Sequence, residues 1–483
     1  MNRNLLARGL ALFAGLFLTA CAAVGPDYTA PTMNLPENWN QGDLSTVYTT
    51  ASGAPDNLSH WWQNLGDQLL SSLIAEALQS SPDVQSARAK LREARARYAV
   101  ATSGYYPTVS ASGTASRSES SRETGSGSAR ELYSAGFDAS WELDVFGGTR
   151  RSVEASEADL AATEANLHGT QVSLAAEVAT NYVQVRSLQT RLNIAKENFA
   201  SQTETLQLTE WRAQAGLVSR QDVEQARSNR EQTRAQIPVL ETSLIEAEHR
   251  LDILLGQTPG TLRPRLATTG KLPAVPKQIA LKIPADTLRQ RPDVMAAERK
   301  LAAETARVGV AEAARYPSFK ISGSIGLEAL TLSGLGNSGA NTSSLLGNIT
   351  APVFNAGRLR SQVQVQDAVR EQAQVAYEQA VRSALQDVEN ALVALARNSE
   401  RTEALAIAAE SSANAAQMAR QRYTAGLIDF QAVLDTDRSV RSAEDSLAVS
   451  RSDSVLALIS LYKALGGGWS PQAASDATVK ESK

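Results

Sequence analysis

Two hydrophobic periods alternate along the chain. From Pro107, Val109, Ala111, Gly113 and Ala115 alternate with Thr108, Ser110, Ser112, Thr114 and Ser116. A second run sets Tyr133, Ala135, Phe137, Ala139, Trp141, Leu143 and Val145 against Ser134, Gly136, Asp138, Ser140, Glu142 and Asp144. Further on, Phe319, Ile321, Ile325 and Leu327 alternate with Lys320, Ser322, Ser324 and Glu328. Leu345, Ile349, Ala351 and Val353 alternate with Ser344, Asn348 and Thr350, and Leu346 breaks that pattern. A period of two predicts four strands, each with one apolar and one polar face. At about 10 to 14 residues they are long enough to match the ~9–11 that a tilted strand needs to cross a bilayer. The joining segments 118–130 and 330–342 are rich in Ser and Gly, as long external loops can be. A soluble sandwich with one wet face would show the same alternation.

Elsewhere the period is helical. Pro82 opens a helix to about Ser103 and Pro292 another to about Arg315, each with proline in the first turn. From Gly148 to Ala215 there is no proline and Gly169 is the only internal glycine; Arg358 to Ala425 contains neither. Each stretch predicts a helix of about 100 Å, far beyond a globular helix and in need of coiled-coil-like company. In the second, Val365, Val369, Ala373, Ala376, Ala380, Ala384, Val388, Ala391 and Leu395 form an alanine-rich seam that lets neighbours approach closely. After an Ala-Gly-Leu turn a helix returns over 219–255 and again over 429–465. Two shorter helices end to end would then match one long one.

The chain also repeats itself. Pro82-Asp83-Val84, Lys90-Leu91, Ala96-Arg97, Tyr106-Pro107, Ser112-Gly113, Ala215-Gly216-Leu217 and Leu255-Gly256 all recur 210 residues later. Phe146 and Arg150 recur at 208 instead, as Phe354 and Arg358, which predicts a two-residue length difference between the copies. The period is too long for a solenoid and reads as duplication of one unit. Four strands cannot close a barrel, and an open edge in lipid strands unpaired backbone groups at several kcal/mol each. If the strands span, copies of the chain must assemble. Eight strands leave an interior filled by side chains, so a conduit needs three or more chains.

Composition narrows the chemistry. The 483 residues carry a net charge of −4, too little positive charge for a nucleic-acid footprint. The single cysteine, Cys21, excludes an internal disulfide, and His60, His168 and His249 are far apart, so no metal cluster is expected. His168 reads as a surface residue of a long helix. Gly334-Leu335-Gly336-Asn337-Ser338-Gly339 fits a dinucleotide fingerprint but sits in a strand-to-strand loop, not before a helix. No cofactor and no enzyme activity are expected. Arg3 and Arg8 precede an apolar run from Gly9 to Ala20 that is too short to span a bilayer. It ends in Leu18-Thr19-Ala20-Cys21, which resembles a bacterial lipobox, implying cleavage before Cys21 and acylation (palmitate among the chains) of that cysteine. Ala22 rather than Asp beside it implies sorting to the outer membrane.

Lipobox, duplication, strand pairs and giant helical hairpins together resemble the outer-membrane factor family of tripartite exporters, in its lipoprotein efflux branch serving resistance-nodulation-division-type pumps. Val24-Gly25-Pro26-Asp27-Tyr28, His60-Trp61-Trp62, Leu65-Gly66-Asp67 and Leu465-Gly466-Gly467-Gly468-Trp469 resemble signatures of that branch. The resemblance implies an α+β membrane protein in which a homotrimer forms a 12-stranded β-barrel, four strands per chain, continuous with a long α-helical barrel across the periplasm. It implies this division: signal peptide 1–20, N-terminal segment 21–81 around the helical barrel, first repeat 82–256, equatorial connector 257–291, second repeat 292–466 and tail 467–483. It implies a periplasmic adaptor and a proton-driven inner-membrane pump as partners. The hairpin tips, with Arg212, Gly216, Leu217, Arg422, Gly426 and Leu427, would meet the adaptor. Gln431, Asp435 and Arg438 would line the periplasmic constriction, where Gln225 and Ser228 stand at the first tip in place of Asp435 and Arg438, giving threefold symmetry. Three readings remain open: an efflux duct for small molecules such as drugs, a type I-like protein secretion duct, and a non-conducting coiled-coil envelope lipoprotein.

Overall fold

The computed structural model describes residues 23–33, 36, 39, 58–125, 127–268, 270–275, 288 and 290–469. The expected signal peptide, Cys21 and the stretch 470–483 lie outside the described residues. A 3-10 turn at Leu58–Leu65 leads into α1 (Gln68–Ser80) and α2 (Pro82–Ser103). Then come β1 (Thr108–Glu119), β2 (Ala129–Leu143), α3 (Gly148–Gln214), α4 (Arg220–Leu254) and a short α5 (Arg263–Leu266). The second half repeats the order as α6 (Pro292–Ala313), β3 (Ser318–Ala329), β4 (Asn341–Thr350), α7 (Arg358–Thr424) and α8 (Phe430–Ala464).

Differences from the sequence pattern lie at element ends and have local causes. β2 stops at Leu143, before Val145, because the Asp144 carboxylate turns the chain to cap α3, accepting from the amides of Thr149 (2.9 Å) and Arg150 (2.8 Å). β4 stops at Thr350, short of Ala351 and Val353, at a sheet edge with no partner strand. The two-residue length difference inferred from Phe146 and Arg150 is not present. Thr108 pairs with Ser140, and 210 residues later Ser318 pairs with Thr350. Likewise α3 and α7 both begin and end 210 residues apart. The match at 208 arises because Arg150 sits two residues into α3 whereas Arg358 is the first residue of α7.

Two compact units partition the chain, each taking part of the long helices. The first (Met1–Thr32, Lys90–Glu164, Ala296–Gln379) holds a four-stranded antiparallel sheet in the order β1-β2-β3-β4. The central pairing joins the two repeats and sets Phe137 against Ile325 and Trp141 against Ile321 on one face. Phe137, Ile325, Leu345 and Ile349 are exposed on that face, a surface that water would penalise and lipid would accept. The other face is polar: Ser112 donates to Asp138 at 2.9 Å, and the hydroxyls of Ser324 and Ser344 lie 2.7 Å apart. In the same unit the N-terminal signature is anchored on α3. The buried Arg151 guanidinium donates to Asp27 (2.7 Å) and to the carbonyls of Val24 and Gly25. Gly25 packs on Gly309, where a Cβ would come within 2.4 Å of the Gly309 Cα. The Val365–Ala376 part of the α7 seam is not buried in a single chain, and Val365 is 64% exposed.

The second unit (Met33–Ala89, Ala165–Met295, Ala380–Lys483) has a compact core. Trp61 stacks on Tyr462 (5.1 Å between centroids), and Leu70, Leu73, Ile74, Leu251 and Leu255 are buried in the same unit. Here the alanine-rich seam is buried at Ala384, Val388, Ala391 and Leu395. Asp67 serves twice. It caps α1 by accepting from the Leu70 amide (3.0 Å), and it accepts from the Tyr182 hydroxyl (2.6 Å). Burial, reinforced by that bond, pushes the Tyr182 phenol up to about 12. Arg186 donates to the Tyr182 oxygen and to the Thr268 carbonyl, completing the network. His168 is not a free surface residue. It is half-buried, stacked on Trp469 at 4.5 Å, because the glycine-rich close of α8 brings that indole across it.

Asp67→Ala is expected to destabilise this unit by about 2–3 kcal/mol, losing a cap and orphaning the buried Tyr182 hydroxyl. Asp67→Asn, whose amide keeps one acceptor oxygen and so can serve either the cap or the Tyr182 hydroxyl but not both, should lose roughly half as much. Thermal unfolding followed by circular dichroism in detergent checks the pair.

Candidate functional site

Both hairpin tips lie in the second unit, and their turns follow from three residues each. α3 ends at Gln214 and Gly216 takes a left-handed φ of 73°, which lets the Leu217 amide reach back to the Arg212 carbonyl at 2.9 Å. The second tip repeats this with Gly426 (φ 75°) and Leu427 on the Arg422 carbonyl. Each is a Schellman stop, closed by a left-handed glycine with little strain. The returning helices are then capped: Ser219 and Asp222 form a reciprocal capping box, and Asp429 accepts from the Ala432 amide. Leu217 and Leu427 are left exposed at the two ends.

Beneath the turns an apolar cluster of Leu206, Val223, Ala226, Tyr423, Phe430, Val433 and Leu434 holds the tips together. Arg212 crosses from the first tip to the second. It donates to the carbonyls of Tyr423 (2.7 Å) and Thr424 (3.1 Å), and its guanidinium lies over the Tyr423 ring at 4.4 Å. A cation thus sits on the carbonyl end of α7, where it interacts favourably with the helix dipole. Arg422, its counterpart 210 residues on, is exposed.

The three residues read as a constriction share one exposed face of α8. Gln431 donates to Asp435 at 3.1 Å, and Arg438 lies 3.8 Å from the same carboxylate. An ion pair this exposed contributes at most about 1 kcal/mol. At the corresponding places on α4, Gln225 is half-buried and Ser228 exposed.

The buried face of α8 carries groups not singled out from the sequence. Asp437 is 4% exposed and accepts from Arg420 at 2.9 Å. One turn on, Arg441 donates to Asn229 (3.0 Å) and Thr233 (3.1 Å) of α4, both buried. Burial pushes the Asp437 carboxyl up, against the opposing pull of Arg420 and Arg441. Burial and the neighbouring Arg438 push the Arg441 guanidinium down. The Nε atoms of Arg420 and Arg441 and the Tyr423 hydroxyl are buried without a hydrogen-bond partner among the described residues. Such groups cost about 1–3 kcal/mol each, so this hairpin end is held less firmly than its apolar cluster alone would hold it. The signal was legible: an acid on the stripe Val433, Leu434, Asp437, Val440 interrupts an otherwise apolar face.

Among the described residues no group of three or more His, Cys, Asp or Glu could hold a metal ion, and no helix is long and apolar enough to cross a membrane. Arg420→Ala is expected to cost about 2 kcal/mol at neutral pH, because it leaves a buried carboxylate unpaired. Since burial raises the Asp437 pKa, its contribution to stability falls as pH rises through the folded value and returns on acidification. The penalty of Arg420→Ala should therefore shrink as pH falls toward the carboxylate range, and Asp437→Asn should remove that pH dependence; melting temperatures across a pH series read both.

A sequence model described as "Outer membrane efflux protein" matches the chain twice, over residues 73–257 and 283–467. A pyoverdine export outer membrane protein, OpmQ of Pseudomonas putida, is 34% identical, covering 94% of this chain and 96% of its own length. The cation efflux system protein CusC of Escherichia coli is 30% identical over 94% of this chain and 97% of its own. The solved outer-membrane channel OprN superposes with a TM-score of 0.87 at 36% identity, covering 93% of this chain and 100% of that one.

Proposed function

The chain belongs to the outer membrane efflux protein family, and on that premise we propose that it is a passive duct carrying small molecules outward, fed by a periplasmic adaptor and an inner-membrane pump. It is the outer-membrane channel component of a tripartite efflux system, built as a trimer with four barrel strands per chain. The observation that carries the duct is the open four-stranded sheet with one exposed apolar face and one hydroxyl- and carboxylate-lined face. Closed by three copies, such a sheet turns its apolar face to lipid and its polar face to a water-filled lumen.

In this reading the chain is a conduit with no enzyme activity of its own and no cofactor beyond lipid on Cys21. Energy is supplied by the pump, proton-driven in this reading. The exposed turn residues Gly216, Leu217, Gly426 and Leu427, with Arg422, form the adaptor-facing end. Arg212 also stands at that end, with two of its five donors given to carbonyls of the second tip. Three copies of Asp435 around one axis form an acidic ring, with Gln431 and Arg438 beside it, and favour cations at the narrow end. Relatives of similar identity are named for pyoverdine export and for cation efflux, which supports a duct whose cargo is chosen by the pump.

Purified trimers in planar bilayers test the duct. Asp435→Ala is expected to roughly halve the cation-to-anion permeability ratio. No conductance, even after Gln431 and Asp435 are both replaced by alanine, would sink the duct reading. Separately, Cys21→Ser should abolish metabolic labelling with palmitate; a persisting label refutes the anchor.

A further inference from the structure

The charges on the polar face of the sheet do not balance. Strand alternation puts Arg130, Asp138 and Glu142 of β2 on that face with Lys320 and Glu328 of β3, while β1 and β4 give it only neutral residues. Glu142 stands directly opposite Lys320, at the end that adjoins the helices. Arg130 and Glu328 both stand toward the end where loops join the strands. Each end therefore sums to zero. Asp138, between them, is the charge left over.

Its surroundings do not compensate it. Register places Ser110 of β1 and Ser324 of β3 directly opposite it, one on each side. Ser112 donates to its carboxylate at 2.9 Å, a bond that leaves the charge in place. In the next row toward the loops Gly136 faces Gly326, and a Cβ on Gly326 would come within 2.6 Å of the Ala135 carbonyl oxygen. That pair of positions stays bare beside the carboxylate. The cation Lys320 is four residues along β3 from Ser324, roughly 14 Å at about 3.4 Å per residue, farther than the ~10 Å Debye length at about 0.1 M salt. The second repeat holds Asn348 at the equivalent place, since Ser110↔Asp138 maps onto Lys320↔Asn348 at the offset of 210. One repeat carries the charge and the other carries its neutral isostere.

Resting on the trimeric duct reading, we propose that Asp138 is a second selectivity-determining residue. Three copies, one per chain, form a ring of negative charge in the wall of the strand barrel and favour cations there, apart from Asp435 at the hairpin ends. A twelve-stranded barrel is wider than the eight-stranded kind that side chains fill, so ions pass this ring at a distance. Salt then sets its reach: a Debye length of ~10 Å at about 0.1 M carries the field into the lumen, and ~3 Å at about 1 M confines it to the wall.

Reversal potentials of purified trimers in planar bilayers under a salt gradient test the ring. D138N, which copies Asn348, should lower the cation-to-anion permeability ratio roughly 1.5-fold near 0.1 M and leave it unchanged near 1 M. K320Q removes the cation facing Glu142 and should move the ratio the other way by a similar factor. S324K keeps Asp138 and sets a cation directly opposite it; it should reproduce D138N, and it carries the test if D138N does not assemble. An unchanged ratio near 0.1 M for both D138N and S324K, in trimers that conduct, overturns the ring and leaves the duct standing. Trimers that do not conduct, even with Gln431 and Asp435 both replaced by alanine, overturn the duct reading and the ring with it.

Discussion

Hydrocarbon offers no water to an unpaired backbone group, and the rest of this architecture depends on that fact. A sheet that ends in two open edges cannot stay in a bilayer alone. Here the sheet has four strands, two open edges and a bare apolar face, so the single chain is an incomplete membrane protein. Assembly is the condition for insertion. The α7 seam is likewise exposed around Val365, although the same seam is buried further along at Ala384, Val388, Ala391 and Leu395.

Duplication makes such assembly geometrically simple. One offset governs strands, helices and turns, so the chain is built from two near-interchangeable pieces. The pieces differ at the hairpin ends. Asp435 and Arg438 stand where the first repeat has Gln225 and Ser228, and the buried Asp437 and Arg441 of α8 are set against Arg420, Asn229 and Thr233. Symmetry is kept in the strand register and the helix ends and broken in the side chains that α8 carries.

The elements themselves were legible because each rests on a period. Alternation marked the strands, and the lack of proline and glycine marked α3 and α7 almost to the residue. What escaped was side-chain traffic between distant segments. His168 looked solvated because its partner, Trp469, is 301 positions away in the sequence. Arg212 donates to carbonyls of the opposite tip, a link that no periodicity reveals. The two-residue length difference failed for another reason. A short Phe-to-Arg match does not define the alignment, because Arg150 and Arg358 sit at different depths of their helices.

The N-terminal signature has a consequence for the order of events during assembly. Residues Val24 to Tyr28 reach the periplasm first, yet their partners come far later: Arg151 for Asp27, Glu298 for the Tyr28 hydroxyl, and Gly309 for Gly25. Contacts that span so much sequence form slowly. The leading segment must therefore stay undocked until the first helix of the second repeat exists, and its docking reports that the chain has been made at least as far as Gly309. A lipid on Cys21 would hold the chain to a membrane throughout that wait, as a tether during folding before it is an anchor in the assembled channel.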